Sequence, residues 1–258
     1  ISNDNMIIGA NVLSGLLAGL AAVLALLLQP RLFAHAHLAH GDGPLVAAWI
    51  LAWAGPLAAY VLSANGGYVD WCVPHLTGCD SISASGRHGW GYFVFKATML
   101  PAAGFTFIYW VLCLRWLELV AQPSRVVRAI FTLGIIGTLF LVLYVTFLGS
   151  EGVTYRALRR YGTVVYFGFP YLAQLLFARR ILHSDITSHI VAWKYGLAVF
   201  MLVTGLAFAT AANFFEDDDF LQNISEWNCA TALTAFPLLT WLLWRQTGFS
   251  VSYQLRRP

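Results

Sequence analysis

Charged residues are scarce in this chain of 258 residues, at 10% of the sequence against 59% hydrophobic residues. A soluble globular protein carries about 25% charged residues. A chain with so few charged residues cannot cover its surface with them in water, so its composition favours a lipid bilayer as the solvent. The net charge is only +3, and no basic run is long enough to form a nucleic-acid-binding stripe. We therefore predict no nucleic-acid partner.

The chain also lacks the short motifs that identify common enzyme classes. It contains no Walker loop, no HExxH zinc motif, no GxSxG nucleophile motif and no paired CxxC. It shows no repeat of the solenoid type. We expect a single transmembrane domain over residues 1–258, and we predict no cofactor.

Long apolar segments take the place of the missing charge. A helix needs roughly 20 apolar residues to cross about 30 Å of hydrocarbon. Seven segments qualify: 6–28, 45–63, 91–117, 127–149, 162–178, 190–213 and 227–244. None shows the sustained alternation of a β-barrel strand, and helices satisfy their own backbone hydrogen bonds within one segment. The sequence therefore predicts an all-α, polytopic transmembrane helical bundle with about seven spans.

The connections between these segments differ in arginine content, which predicts their orientation. Nine arginines lie in one set of connections and at the C-terminus, and four lie in the opposite set. Cytoplasmic loops carry the excess of positive charge, so the first set and the C-terminus are predicted to be cytoplasmic. Residues 72–87 and the connection 150–161 then face outside, in a periplasmic, extracellular or lumenal compartment. Three of the four outer arginines are Arg156, Arg159 and Arg160, and positive charge on this side requires a reason.

Two of the four cysteines, Cys72 and Cys79, share the outer segment, whereas Cys113 and Cys229 fall in predicted spans. Disulfides persist in compartments outside the cytoplasm. The six residues between Cys72 and Cys79 are enough to close a small ring. We predict a Cys72–Cys79 disulfide, with two free and partly buried thiols as the alternative.

Polar residues near the outer ends of the spans form a candidate ligand site. An ionisable residue within a span usually faces the bundle interior or a water-filled cavity. Arginine binds phosphate through two parallel hydrogen bonds, and lysine adds a point charge. We predict a lipid-headgroup site composed of Arg87, Lys96, Arg156, Arg159, Arg160 and Glu226. The alternative is that these cations reach the interface and contact headgroups without specificity, or pair with the acidic run 216–219.

Catalysis by a nucleophile would require one beside a base. His75 or His88, with Ser81, Ser83 or Ser85, would supply such a pair. Serine also forms turns through hydrogen bonds to the backbone, and turn-forming serines are far commoner than catalytic ones. We favour the turn role and predict no catalytic residue.

A histidine-rich run at His35, His37 and His40 is a candidate for binding copper or zinc, because histidine is a common metal ligand. The spacing places no two of these residues at i, i+4 on one helical face. The arginine distribution also places the run on the cytoplasmic side. We favour an interfacial loop and predict no metal site.

Short motifs in order along the chain resemble a known family. They are Cys72–Leu76 followed by Ser81–Gly86, Ile224–Trp227 followed by Phe249–Val251 after an apolar helix, and, more weakly, Arg159–Gly162. Their order and spacing over residues 45–253 resemble the FRAG/DRAM/SFK membrane family, which includes autophagy modulators and GPI-lipid-remodelling factors. That family has six spans, so the resemblance implies a six-helix core at 45–253. Residues 6–44 would then be an extra N-terminal helix and cytoplasmic loop.

The resemblance implies lipid handling but supplies no catalytic residues. We expect an integral membrane protein that binds lipid without catalysis and supports lipid remodelling, or that serves as an accessory subunit of a membrane assembly. Its expected partners are membrane lipids and other membrane protein subunits. The alternative is a membrane enzyme, of the acyltransferase or hydrolase type, that acts on lipid acyl chains or headgroups.

Overall fold

The computed structural model describes residues 43–249, except 122, 185, 187, 212–213 and 215–218. The predicted first span at 6–28, the histidines His35, His37 and His40, and the C-terminus beyond residue 249 lie outside the described residues. So do residues 216–218 of the acidic run.

The described residues form eight helices and no strand, which confirms the all-α prediction. Six helices are long: α1 (Gly43–Asn65), α4 (Gly89–Val120), α5 (Arg125–Phe147), α6 (Val153–Leu182), α7 (His189–Ala211) and α8 (Asp219–Gln246). Two single-turn helices, α2 (Pro74–Thr77) and α3 (Ile82–Ser85), lie between α1 and α4. The long helices coincide with six of the seven predicted segments.

Three of the long helices are long and apolar enough to cross a membrane: α4, α5 and the His189–Thr210 part of α7. They indicate a membrane protein. The remaining long helices within the described ranges do not meet this criterion, so the total of about seven spans stays a prediction.

Helix α6 begins earlier than its apolar segment. The predicted connection 150–161 is wrong in its second half, because α6 starts at Val153. Residues 153–161 contain no proline or glycine that would stop a helix. Gly152 adopts a φ of 115°, a conformation that favours glycine, and turns the chain into the helix. Arg156, Arg159 and Arg160 therefore lie on the first turns of a helix and not in a loop.

The six long helices form a closed ring. Each helix packs against the next in the order α1, α4, α5, α6, α7, α8, and α8 returns to α1. Helix α6 also contacts α8 across the ring. Short connections make neighbouring helices antiparallel. We call the end that carries residues 66–88 and the connection 148–152 the disulfide end.

Tight packing holds the ring together at several places along its length. A buried cluster that includes Trp110, Trp116 and Phe177 fills the half away from the disulfide end. Helix α5 approaches its neighbours closely through Gly134, where an added Cβ would overlap the Trp110 indole. Gly137 meets the ring of Pro170 on α6 in the same way. These contacts fix α5 against α4 and α6 and leave the opposite side of α6 free to line a site.

Candidate functional site

Residues 66–88 form a cap on the disulfide end of the bundle. Cys72 and Cys79 are joined by a disulfide, with their Cα atoms 6.4 Å apart, which confirms the predicted pair. Helix α2 lies within the loop that this disulfide closes, and it ends at Gly78, which has a φ of 61°. A disulfide also fits the predicted placement of this segment outside the cytoplasm.

The cap is held on α8 by four hydrogen bonds. The carbonyl oxygens of the cap accept three of them from side chains of α8, and the fourth joins an imidazole to a hydroxyl. The pairs are Asn223 Nδ2 to Gly78 O (2.9 Å), Trp227 Nε1 to Asp80 O (2.9 Å), Asn228 Nδ2 to His75 O (2.9 Å), and His75 Nε2 with Thr231 Oγ1 (3.0 Å). Burial of the His75 imidazole lowers its pKa below the usual 6.5.

The serines of the cap shape its turns. Ser81 Oγ accepts a hydrogen bond from the Ala84 backbone N–H at 3.0 Å and so caps α3. Ser85 Oγ donates to the Ser81 carbonyl at 3.1 Å. His75 bonds Thr231, and the His88 ring stacks on Tyr68 with centroids 5.5 Å apart. The described hydrogen bonds thus contain no histidine–serine pair of the kind that nucleophilic catalysis uses.

A cavity of about 700 Å³ opens beneath the cap, between α6, α7 and α8. Five of the six predicted site residues line it: Arg87, Arg156, Arg159, Arg160 and Glu226. The sixth, Lys96, is not among the lining residues. Its Nζ donates to the Tyr92 hydroxyl at 2.7 Å and to the Thr146 carbonyl at 3.0 Å, which ties α4 to α5.

The arginines of α6 differ in their protein partners. Arg159 Nη1 donates to the backbone carbonyls of Phe147, at 3.2 Å, and Ser150. It therefore binds the chain where α5 ends, and a cation at a helix C-terminus is stabilising. Arg156 and Arg160 lie one turn apart on the same helix and are exposed. Within the described part of the chain, neither has a hydrogen-bond or ion-pair partner. Residues 216–218 of the acidic run, the predicted alternative partners, lie outside that part.

The cap and α8 supply the remaining polar groups of the cavity. Arg87 Nη2 donates to Ser83 Oγ at 2.7 Å. Burial disfavours the charged form of the Glu226 carboxyl group, whereas Arg87 and the Ser83 backbone N–H favour it. Gln222 and Ser225 line the same wall. Glu226 is therefore positioned by the cap as well as by its own helix.

The lower part of the cavity is apolar. Val164 and Phe167 of α6 face Gly205 and Phe208 of α7 across it. A Cβ added at Gly205 would meet no heavy atom within 4 Å, so the two helices are separated at this height. Val164 is 64% exposed, which opens this gap to the side of the bundle. The cavity thus has one end that carries the arginines and a second, apolar end that opens to the side of the bundle.

A second polar cluster lies buried in the other half of the bundle, centred on Lys194, whose side chain is fully buried. Its Nζ donates to Gln174 Oε1 at 2.9 Å, to Thr240 Oγ1 at 2.7 Å and to the Phe236 carbonyl at 3.3 Å. Gln174 Nε2 in turn donates to the Tyr109 hydroxyl at 2.8 Å. We did not predict this cluster from the sequence. The signal was present, because lysine and glutamine are both unusual inside apolar segments.

Comparisons with protein-family models, with curated proteins and with solved structures found no match. The FRAG/DRAM/SFK resemblance therefore stays a prediction that rests on the motifs in the sequence.

Proposed function

We propose that this protein is a multi-pass membrane protein that binds a phosphate-bearing lipid in the cavity between α6, α7 and α8. The observation that carries the proposal is the pair Arg156 and Arg160, which have no described protein partner and lie above an apolar lateral opening. Guanidinium groups bind phosphate with two parallel hydrogen bonds. Phe167 and Phe208 would contact the glycerol or upper acyl region of the same lipid.

The size and shape of the cavity support a lipid over a soluble ion. Ligand pockets commonly enclose about 300–1,000 Å³ and are lined mainly by apolar groups with a few polar ones. The volume of about 700 Å³ lies in that range and far exceeds what one phosphate ion fills. An opening on the side of a membrane bundle also lets acyl chains remain in the bilayer.

The proposed topology places the disulfide end outside the cytoplasm, because it carries the Cys72–Cys79 bond and fewer arginines than the opposite end. The ring of six helices would form the core of a FRAG/DRAM/SFK-like protein. Lipid binding without catalysis is favoured over a membrane enzyme, because His75 is hydrogen-bonded to Thr231 and the His88 ring stacks on Tyr68, and neither contact involves a cap serine.

Native mass spectrometry of the purified protein tests the proposal. The double variant Arg156→Gln, Arg160→Gln removes both available guanidinium groups. The matched control is Arg125→Gln, Arg128→Gln, which removes two exposed arginines at the opposite end of the bundle. Hydrogen bonds to charged groups contribute about 1.5–3 kcal/mol each, so we expect the first variant to lose phospholipid binding at least about tenfold.

The control should retain the phospholipid of the unsubstituted protein. Equal phospholipid retention by both double variants would overturn the proposed site, and so would a purified wild-type protein that binds no phospholipid.

A further inference from the structure

The charges in the cavity are divided between opposite walls. Helix α6 supplies the cations Arg156 and Arg160, and α8 supplies the carboxylate Glu226. Gln222 and Ser225, one turn or less from Glu226, add neutral oxygen acceptors to the α8 wall. The cavity is therefore dipolar and not uniformly positive.

A carboxylate is unfavourable in a site that binds only an anion. Like charges repel, and a half-buried carboxylate is costly unless an opposite charge or hydrogen-bond donors compensate it. Arg87 and the Ser83 N–H offset part of this cost. Among the described residues, the one salt bridge joins Arg115 and Glu118, at the other end of the bundle. None of the described arginines therefore lies within ion-pair distance of Glu226. The carboxylate oxygens of Glu226 are therefore left to interact with a cationic group of a ligand.

We propose that the cavity selects phospholipids whose headgroup carries a primary amine as well as a phosphate. This inference rests on the proposed function and names the class of lipid. The phosphate binds Arg156 and Arg160, and the ammonium group reaches across to Glu226. A primary ammonium has three N–H donors, which match the oxygens of Glu226, Gln222 and Ser225.

A quaternary choline group fits this wall poorly. It has no N–H to donate and is recognised by the faces of aromatic rings. The aromatic residues of the cavity are Phe167 and Phe208, which belong to the apolar part, and Tyr144 of α5, whose ring is buried against Phe95. The α8 wall near Glu226 presents oxygen atoms. A glycerol headgroup donates hydroxyl hydrogen bonds but brings no positive charge to compensate the carboxylate. The expected order of affinity is thus phosphatidylethanolamine above both phosphatidylcholine and phosphatidylglycerol.

The test is a native mass spectrometry titration of the full chain with these three lipids of matched acyl chains. Wild-type protein should bind phosphatidylethanolamine about tenfold more tightly than either of the others, which corresponds to about 1.4 kcal/mol. Glu226→Gln should remove this preference, with weaker binding of phosphatidylethanolamine and unchanged or stronger binding of phosphatidylglycerol. Glu118→Gln is the matched control, and it should keep the wild-type order.

The wild-type titration alone decides the inference if Glu226→Gln fails to fold. Equal wild-type affinities for the three lipids overturn the selection for amines while leaving phospholipid binding intact. An unchanged preference in a folded Glu226→Gln variant also overturns it. Binding of none of the three lipids overturns the proposed function itself. Glycerophosphoethanolamine, which has the headgroup without acyl chains, should compete weakly, and competition equal to that of the lipid would show a soluble ligand instead.

Discussion

Arg159 is predicted to stabilise the fold, in contrast to its neighbours on α6. Its guanidinium donates to two backbone carbonyls, of Phe147 and Ser150, where α5 ends. A hydrogen bond from a charged group contributes about 1.5–3 kcal/mol, and water can replace part of it at this half-buried position. We expect Arg159→Met, which keeps most of the apolar stem, to lower the free energy of unfolding by about 2–3 kcal/mol.

The assay is thermal unfolding in detergent followed by tryptophan fluorescence. For a chain of this size, about 1 kcal/mol corresponds to about 2–4 °C, so the midpoint should fall by about 4–12 °C. Arg128→Met is the control, because Arg128 is exposed and has no described side-chain partner; surface substitutions of this kind change stability by about 0.5 kcal/mol or less. A midpoint of Arg159→Met that coincides with that of Arg128→Met would refute the structural role of Arg159.

Two further predictions concern the cap and the buried cluster. Burial lowers the pKa of His75, so protonation favours release of the cap: docking should be strongest above the ordinary pKa of 6.5 and weaken as the pH falls towards the lowered value. The hydrogen-exchange protection factors of residues 73–79, each taken relative to the intrinsic exchange rate at the same pH, should fall on acidification in the wild type but not in His75→Gln; an equal fall in both would contradict this role. Lys194→Met removes three hydrogen bonds between helices at about 0.6 kcal/mol each, so we expect a loss of about 2 kcal/mol in an unfolding titration. Unchanged stability would show that the cluster contributes nothing net.

The environment of His75 makes the first of these tests selective. The small pocket beside its ring is lined by uncharged residues, among them Trp53, Trp227 and Thr234. On acidification, the group that changes its charge at this contact is therefore the His75 imidazole.

Hydrophobic run length and cysteine placement were sufficient to predict much of the fold. All six predicted segments that lie within the described residues correspond to helices, because an apolar run that satisfies its own backbone hydrogen bonds leaves few other options. The Cys72–Cys79 bond followed from two cysteines in one short polar segment. Helix ends were harder, since polar residues such as Arg156 extend α6 beyond its apolar part, and hydropathy does not detect that extension.

The individual roles of the site residues depend on tertiary contacts that no local pattern contains. Arg159 and Arg160 are adjacent in sequence, yet one bonds the end of α5 and the other lines the cavity without a described partner. Lys96 was predicted to belong to the ligand site, and Lys194 was not singled out from the sequence. The structure gives each of them hydrogen-bond partners on neighbouring helices, which only the packing of the ring determines.

The most direct test of lipid binding is an experimental structure of the protein in lipid nanodiscs that contain phosphatidylethanolamine. We predict phosphate density in the cavity between α6, α7 and α8, at about 2.7–2.9 Å from the guanidinium nitrogens of Arg156 and Arg160. Acyl density should leave through the gap beside Gly205. A cavity that is filled by protein side chains, or one that contains only water in such a bilayer, would show that this protein does not bind lipid there.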